Sequence, residues 1–502
     1  MSRPALSLSA AALALAVSIP VSAVSQRPTP RSELTLLTSL LAIPNVAADR
    51  AGIARNAEWL RAAFERRGFR MREVSTPGSP VLIGERPGTG PRPGRTLTFY
   101  FHYDGQPVTA SEWQDAGPFD PIVRDAPLEN GGRVVALPAT GPVNPEWRLY
   151  ARSSADDKGP IAAFLSAIDE AQADGMPITS TIRVLMEGDE EAGSPSLPAV
   201  VRDQAEHIRG DLVILVDGPQ HPSGRPTFVF GARGIMSAEL TVFGARHDLH
   251  SGNYGNWAPN PAVELAQLVG SMTDSTGRVT IPDFYKDVVP LTAEEQRAIA
   301  EIPDFDSTLM RRFGFAHPDF PGQRLDALDN LPTLNVSGLG AGTVSGQGRT
   351  VIPAQAVARL DLRFVKNVAP DSQFARLEAY VRARGFHLVA GDAPSDAERA
   401  EYPKLAKLRR MGGYPAGRTP LTNPVARQVV AAVAKATGTT PARLPSLGGS
   451  TPFYLFSDRL GAPTIGMPVV NFDDNQHGPN ENLRLGNYFA AIAAMRAMLT
   501  MP

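Results

Sequence analysis

Five short stretches carry side chains able to hold cations and move protons. HYDGQP places His102 and Asp104 two residues apart, SADDKGP carries Asp156 and Asp157, EGDEEAGS carries Glu190 and Glu191, VDGP carries Asp217, and NQHGPNEN carries His477. The chain has no cysteine, so a metal site in it must be built from His, Asp and Glu. Crowded carboxylates repel one another, and burying them is expensive unless a cation neutralises them. Bound cations lower the pKa of water, and a neighbouring carboxylate can then take its proton. The chemistry open to these residues as a group is metal-assisted hydrolysis.

Singly, each stretch has a plainer reading. His102 could be a satisfied core histidine, Asp156 and Asp157 helix-capping acids, Glu190 and Glu191 a solvated turn, Asp217 an ordinary turn start, and His477 a loop residue. Their placement argues for more. TFYFHYD, STIRVLME, DLVILVDG and APTIGMPVV read as buried strands, and four of the five stretches follow their carboxyl ends. Asp156 and Asp157 stand just before a helix in which Pro160 suits the first turn. Ile161, Phe164, Leu165 and Ile168 then share one face of it. Strands alternating with helices, and apolar nearly throughout, predict an α/β fold with a mainly parallel sheet covered on both faces. Ligands in such sheets gather beyond the carboxyl ends of the strands. Five segments thus converge on one crevice, where a pair of cations would make the charge tolerable.

The elements that position these groups fall into two textures. From about 234 the strands alternate (GIMSAELTVFG, AVARLDLRFV) among amphipathic helices, as in an inserted α+β block. The tail then returns to the first texture. The expected organisation is a leader at 1–25, a catalytic domain at 26–233 and 401–502, and an insertion at 234–400. The leader MSRPALSLSAAALALAVSIPVSAVS has the pattern of a secretory signal peptide, with Arg3 near its start and a small-residue VSA at 21–23, and predicts export to a periplasmic or extracellular location. With 43% hydrophobic and 20% charged residues the chain has a globular composition, and its net charge of −2 gives no reason to expect nucleic acid or an anionic membrane as partner.

Taken in order, HYDGQP, SADDKGP, EGDEEAGS, VDGP, HDLHSGNYG and NQHGPNEN resemble the M20 family of di-zinc metallopeptidases, its carnosinase-like and cytosolic nonspecific dipeptidase branch in particular. The resemblance spans residues 35–500. It implies two zinc ions per subunit, with manganese or cobalt as substitutes. His102 and Asp217 would bind one ion, Glu191 and His477 the other, and Asp156 would bridge them across a cis Asp156–Asp157 peptide. Asp104 would hold the His102 ring, and Glu190 would be the general base. The insertion would be a lid and dimer interface whose His250 reaches the neighbouring subunit's site, making the protein a homodimer. Thr350, Arg363 and Ser450 would meet a small peptide substrate, with the planar Arg fork suited to its carboxylate. Without that resemblance, His250 is a loop residue, Arg363 a surface ion-pair partner and Ser450 part of a glycine turn.

Some positions depart from the family pattern. ARSSADD stands where Gly-Arg-Gly usually precedes the bridging aspartate, Gly255-Asn256 replaces two glycines, and no histidine occupies the stretch around MGGYP. The expected activity is hydrolysis of a peptide bond beside a free C-terminal carboxylate, by a dipeptidase or carboxypeptidase. Asp217 in place of glutamate leans towards the dipeptidases. Three alternatives stand beside it: an amidase acting on N-acyl amino acids, a di-zinc aminopeptidase (a family that lacks the inserted block), and a noncatalytic binding protein on the same scaffold.

Overall fold

The computed structural model describes residues 27–502 except 90–93, 139, 344, 345 and 347. Eight strands form the larger sheet, in the order Arg70–Val74, Val81–Arg86, Thr181–Glu187, Thr96–His102, Leu212–Leu215, Thr464–Gly466, Thr227–Val229, Ala442–Leu444. The four neighbours from Thr181–Glu187 to Thr464–Gly466 run parallel, so their carboxyl ends share one edge. Alternation along Thr96–His102 explains why it reads as apolar throughout. Leu97, Phe99 and Phe101 enter a core shared with helices Pro30–Leu41, Lys158–Ala173 and Leu485–Leu499, while Tyr100 enters a second core with Leu197, Val200 and Val201. Both faces are covered, so neither calls for polar residues. Phe164 anchors the first core, with its ring 4.7 Å from that of Phe99 and 5.4 Å from that of Phe101.

The second sheet has the order Thr333–Ala341, Gln355–Phe364, Gly234–Phe243, Leu405–Tyr414, His387–Leu388. Met236, Ala238, Leu240 and Val242 alternate inward, as do Ala358, Leu360 and Leu362, onto helices Pro261–Gly270 and Pro370–Ala383. The opposite face carries Glu239, Arg359, Asp361 and Arg363. Two boundaries differ from the sequence expectation. Leu405–Tyr414 belongs to this sheet, so the insertion runs past 400 to about Tyr414. Beyond Leu408, which packs on the core, this strand continues with two arginines, an exposed methionine, two glycines and Tyr414, which leave no apolar period to read. Helix Ala293–Ala300 lies inside the expected insertion yet packs against Ala442–Leu444 of the large sheet, with Glu295 paired to Arg418.

A small four-stranded sheet joins Arg148–Tyr150 to Asn482–Arg484, tying the loop that carries Asp156 to the turn that carries His477. Among the described residues no helix is long and apolar enough to cross a membrane.

Candidate metal centre

Sheet register assembles the site. Thr96–His102 ends on His102, and its parallel partner pairs Glu187 with His102, which sets the following turn with Glu190 and Glu191 alongside. On the other side Leu212–Leu215 leads to Asp217. His102 Nε2 lies 2.7 Å from Asp156 Oδ1, and His477 Nε2 lies 3.1 Å from Asp156 Oδ2 and 3.5 Å from Glu191 Oε2. Two triads result: His102, Asp156 and Asp217, and Asp156, Glu191 and His477, each with ligand atoms within 4.8 Å of one another. Asp156 is common to both. The peptide joining it to Asp157 is cis.

This arrangement fits divalent cations. Both nitrogens of the buried His102 ring face carboxylates, yet neither makes a hydrogen bond of acceptable geometry. A bare imidazole among carboxylates is what a metal ligand looks like. The protonation balance points the same way. Burial raises the Glu191 carboxyl to about 7 and that of Asp217 to about 6, the Asp156 charge adding to each. Burial also pushes Glu190 well up. Asp156 alone falls below its ordinary value, because the charge of the adjacent His102 ring and hydrogen bonds from His477 and Gln476 outweigh its burial. A cation pair would supply the positive charge that these carboxylates lack.

Asp104 does more than the sequence suggested. Its Oδ1 is 3.3 Å from His102 Nδ1, and its two oxygens accept the backbone N–H groups of Glu190 (3.2 Å) and Glu191 (3.0 Å). One buried carboxylate therefore holds the glutamate turn and lies against the His102 ring. Glu190 belongs to neither triad, although the charges of His102, Asp217 and Asp156 all act on it.

The residues expected in the lid and substrate seat belong to neither triad. His250 is exposed and pairs with Val351 in a two-residue ladder, with its Nδ1 accepting from Gly252 N. Thr350 lies beside it, its carbonyl accepting from Ser251 N at 3.0 Å. Arg363 reaches the catalytic unit, donating from Nη1 to Ser450 Oγ at 2.8 Å while Nε pairs with Asp361 at 2.9 Å. His250 and Thr350 thus form one group, Arg363 and Ser450 another.

Several residues escaped the sequence reading. Gln106 donates to Glu191 Oε2 (2.6 Å) and Gln476 to Asp156 Oδ2 (2.5 Å). Glu481, fully buried, accepts from Arg152 Nη1 (2.7 Å) and from the backbone N–H groups of Ser153 (3.0 Å), Ala155 (2.8 Å) and Asp156 (3.0 Å). Arg152 Nη2 in turn donates to the Gly478 carbonyl at 3.1 Å. Both lie inside motifs already singled out, but their pairing across 329 residues has no local signal. The departures are accommodated too. Ser153 holds the left-handed φ of 62° that glycine would otherwise favour, and its Oγ accepts from Asn45. A side chain at Gly105 would meet that Oγ at 2.4 Å, so glycine is required there.

A family model described as Peptidase family M20/M25/M40 matches residues 98–501. The chain belongs to this family. It is accordingly a hydrolase of the metallopeptidase kind, in a family that uses divalent metal. It is 28% identical to the Cys-Gly metallodipeptidase DUG1 of Candida albicans over 90% of both chains. It is 27% identical to the human Beta-Ala-His dipeptidase over 82% of this chain and 76% of that one. The structure is similar to that of an M20 family metallo-carboxypeptidase from Sulfolobus solfataricus (TM-score 0.75, 29% identity, 93% of this chain and 98% of the other). These relatives correct the expected export. The yeast Cys-Gly metallodipeptidases, which match about nine-tenths of the chain, are cytosolic enzymes. The leader-like stretch 1–25 lies outside the described residues.

Proposed function

We propose that this M20 peptidase is a dipeptidase or carboxypeptidase that cleaves the peptide bond adjoining a free C-terminal carboxylate. The observation that carries the reading is the pair of triads sharing Asp156, with Glu190 beside both and part of neither. His102 and Asp217 would hold one zinc, Glu191 and His477 the second, with Asp156 common to both. Bound there, the ions would acidify a water and polarise the scissile carbonyl. Glu190 takes the proton from that water and passes it to the leaving amine; burial among neighbouring charges keeps its proton affinity high. Asp104 fixes the His102 ring and the backbone of the glutamate turn.

Arg363 and Ser450, already joined by a hydrogen bond, form a seat for the substrate's carboxylate. His250 and Thr350 act from a second subunit of a homodimer. The support for that is their exposure beside an uncovered apolar group, Trp257 (80% exposed), Tyr254 and Val263. Glu190→Gln should retain two metal ions per subunit while kcat/KM on a dipeptide falls by about 10²–10⁴. Unchanged turnover would remove Glu190 from the mechanism. A panel of dipeptides against N-acetyl amino acids separates this reading from the amidase one.

A further inference from the structure

Two strand ends of the second sheet reach the same short segment of the catalytic unit, residues 450–454. Arg363, near the end of Gln355–Phe364, donates to Ser450. Tyr414, which ends Leu405–Tyr414, stacks on Tyr454 with ring centroids 5.3 Å and planes 15° apart. Ile235 pairs with Arg363 on one side and with Tyr414 on the other, so the three residues stand in one row on one face of the sheet. Two strand spacings, about 10 Å, separate the backbones of the outer two. Local sequence fixes the tyrosine. Gly412 and Gly413 before it hold φ values of 116° and 132°, and a side chain at Gly413 would meet the Ile235 carbonyl at 2.2 Å. Pro415 after it favours extended backbone at Tyr414.

The Tyr414 phenol stands between the metal centre and the carboxylate seat. The charges of Glu190, Arg363 and Asp217 all act on it, and among the described residues its hydroxyl has no hydrogen-bond partner. Burial, then the charge of Glu190, holds its ionisation above the ordinary phenol range against the charge of Arg363, so it stays a neutral donor. A peptide with its carboxylate at Arg363 and Ser450 and its scissile bond at the triads spans the same ground. Along that span a hydroxyl donor meets two kinds of acceptor. One is the carboxylate, which Arg363 and Ser450 take; the other is the scissile carbonyl oxygen, since the amide nitrogen between them is itself a donor.

We propose that Tyr414 is a further catalytic residue, its O–H donating to the scissile carbonyl oxygen as that oxygen takes up negative charge. This rests on the peptidase reading above. When water adds to the carbonyl carbon, the C=O electron pair moves onto oxygen, and the phenol shares its proton with that oxygen without giving it up. The pair returns when the C–N bond breaks and the amine leaves with the proton carried by Glu190. A hydrogen bond that strengthens only as charge develops raises kcat, whereas one held on the carboxylate throughout acts on KM.

Tyr414→Phe keeps the ring on Tyr454 and removes only the O–H. The test measures kcat and KM for Ala-Leu on the metal-loaded enzyme. Calorimetry adds the affinity for the phosphinic analogue of Ala-Leu, whose tetrahedral phosphinate stands in for the oxyanion intermediate. We expect kcat to fall about 10²-fold with KM within about twofold, and the analogue to bind about 10²-fold more weakly, while metal content and melting temperature hold. A rise in KM with kcat unchanged would overturn the assignment, because the phenol would then serve the carboxylate. So would unchanged kinetics or unchanged analogue affinity. Metal loss in the variant would overturn it too, since the effect would then run through the architecture of the site. A wild-type protein that cleaves neither Ala-Leu nor any other dipeptide would instead refute the peptidase reading itself.

Discussion

Glu481→Gln tests whether a buried carboxylate outside the ligand set controls the metal centre. Each Glu481 oxygen serves two donors, Oε1 the backbone N–H groups of Ala155 and Asp156, Oε2 Arg152 Nη1 and Ser153 N. An amide of the same shape must turn its NH₂ towards one of these pairs, replacing two acceptances with a donor–donor clash. It also leaves Arg152, 2% exposed, without its counter-charge. Removing one partner of a buried ion pair costs about 3–5 kcal/mol of stability. Part of that cost should reach the metals, because the same network fixes the Asp156 backbone and the Gly478 carbonyl. The turn it holds is unfavourable by itself, with Asn475, His477 and Asn480 at left-handed φ values of 56°, 65° and 58°. Loss of a group that orients ligands typically lowers metal affinity about 10–100-fold. Stepwise chelator competition reads this, with a melt of the metal-free protein alongside. We expect both a lower melting temperature and weaker binding of the ion at Asp156, Glu191 and His477. The double variant Glu481→Gln/Arg152→Met should be less damaged than the sum of its parts. Wild-type affinity for both ions in Glu481→Gln would refute the reasoning.

Two pH predictions follow from carboxyls held above their ordinary range. Burial, then repulsion from Glu170, raises Glu33 from 4.5 to about 7, and its Oε1 has no hydrogen-bond partner. The fold therefore favours the protonated form: no cost applies below pH 4.5, stability falls as pH rises from 4.5 to 7, and the loss is complete above 7. Glu33→Gln should recover about 1–3 kcal/mol at pH 8 and little at pH 4.5 in denaturant titrations; equal effects at both would reject the assignment. Chelation should expose the same sign at the metal centre. With Glu191 at about 7 and Asp217 at about 6, the metal-free protein should lose stability between pH 4.5 and 7, whereas added zinc should flatten that slope. Parallel profiles with and without metal would argue against cation binding there.

The parts of the site that were legible in the sequence are those carried by local pattern. Apolar strands each ended in a short acidic or imidazole motif, and the preference of open α/β sheets for ligands at strand ends turned five scattered motifs into one crevice. Leu405–Tyr414 was not legible, because the arginines and glycines beyond Leu408 show no apolar period. Helix Ala293–Ala300 was assigned with the insertion because sequence order says nothing about which sheet a helix will cover.

By itself, then, the sequence determined the element types, the mainly parallel sheet and the residue set able to hold metal, since side-chain chemistry and hydrophobic period are local properties. Only the tertiary structure decided that Asp156 is common to two triads, that Asp104 caps the glutamate turn and that Glu481 is shared between Arg152 and three backbone amides. Those are contacts between segments up to 329 residues apart. Strand register and burial bring them together, and no spacing along the chain encodes them.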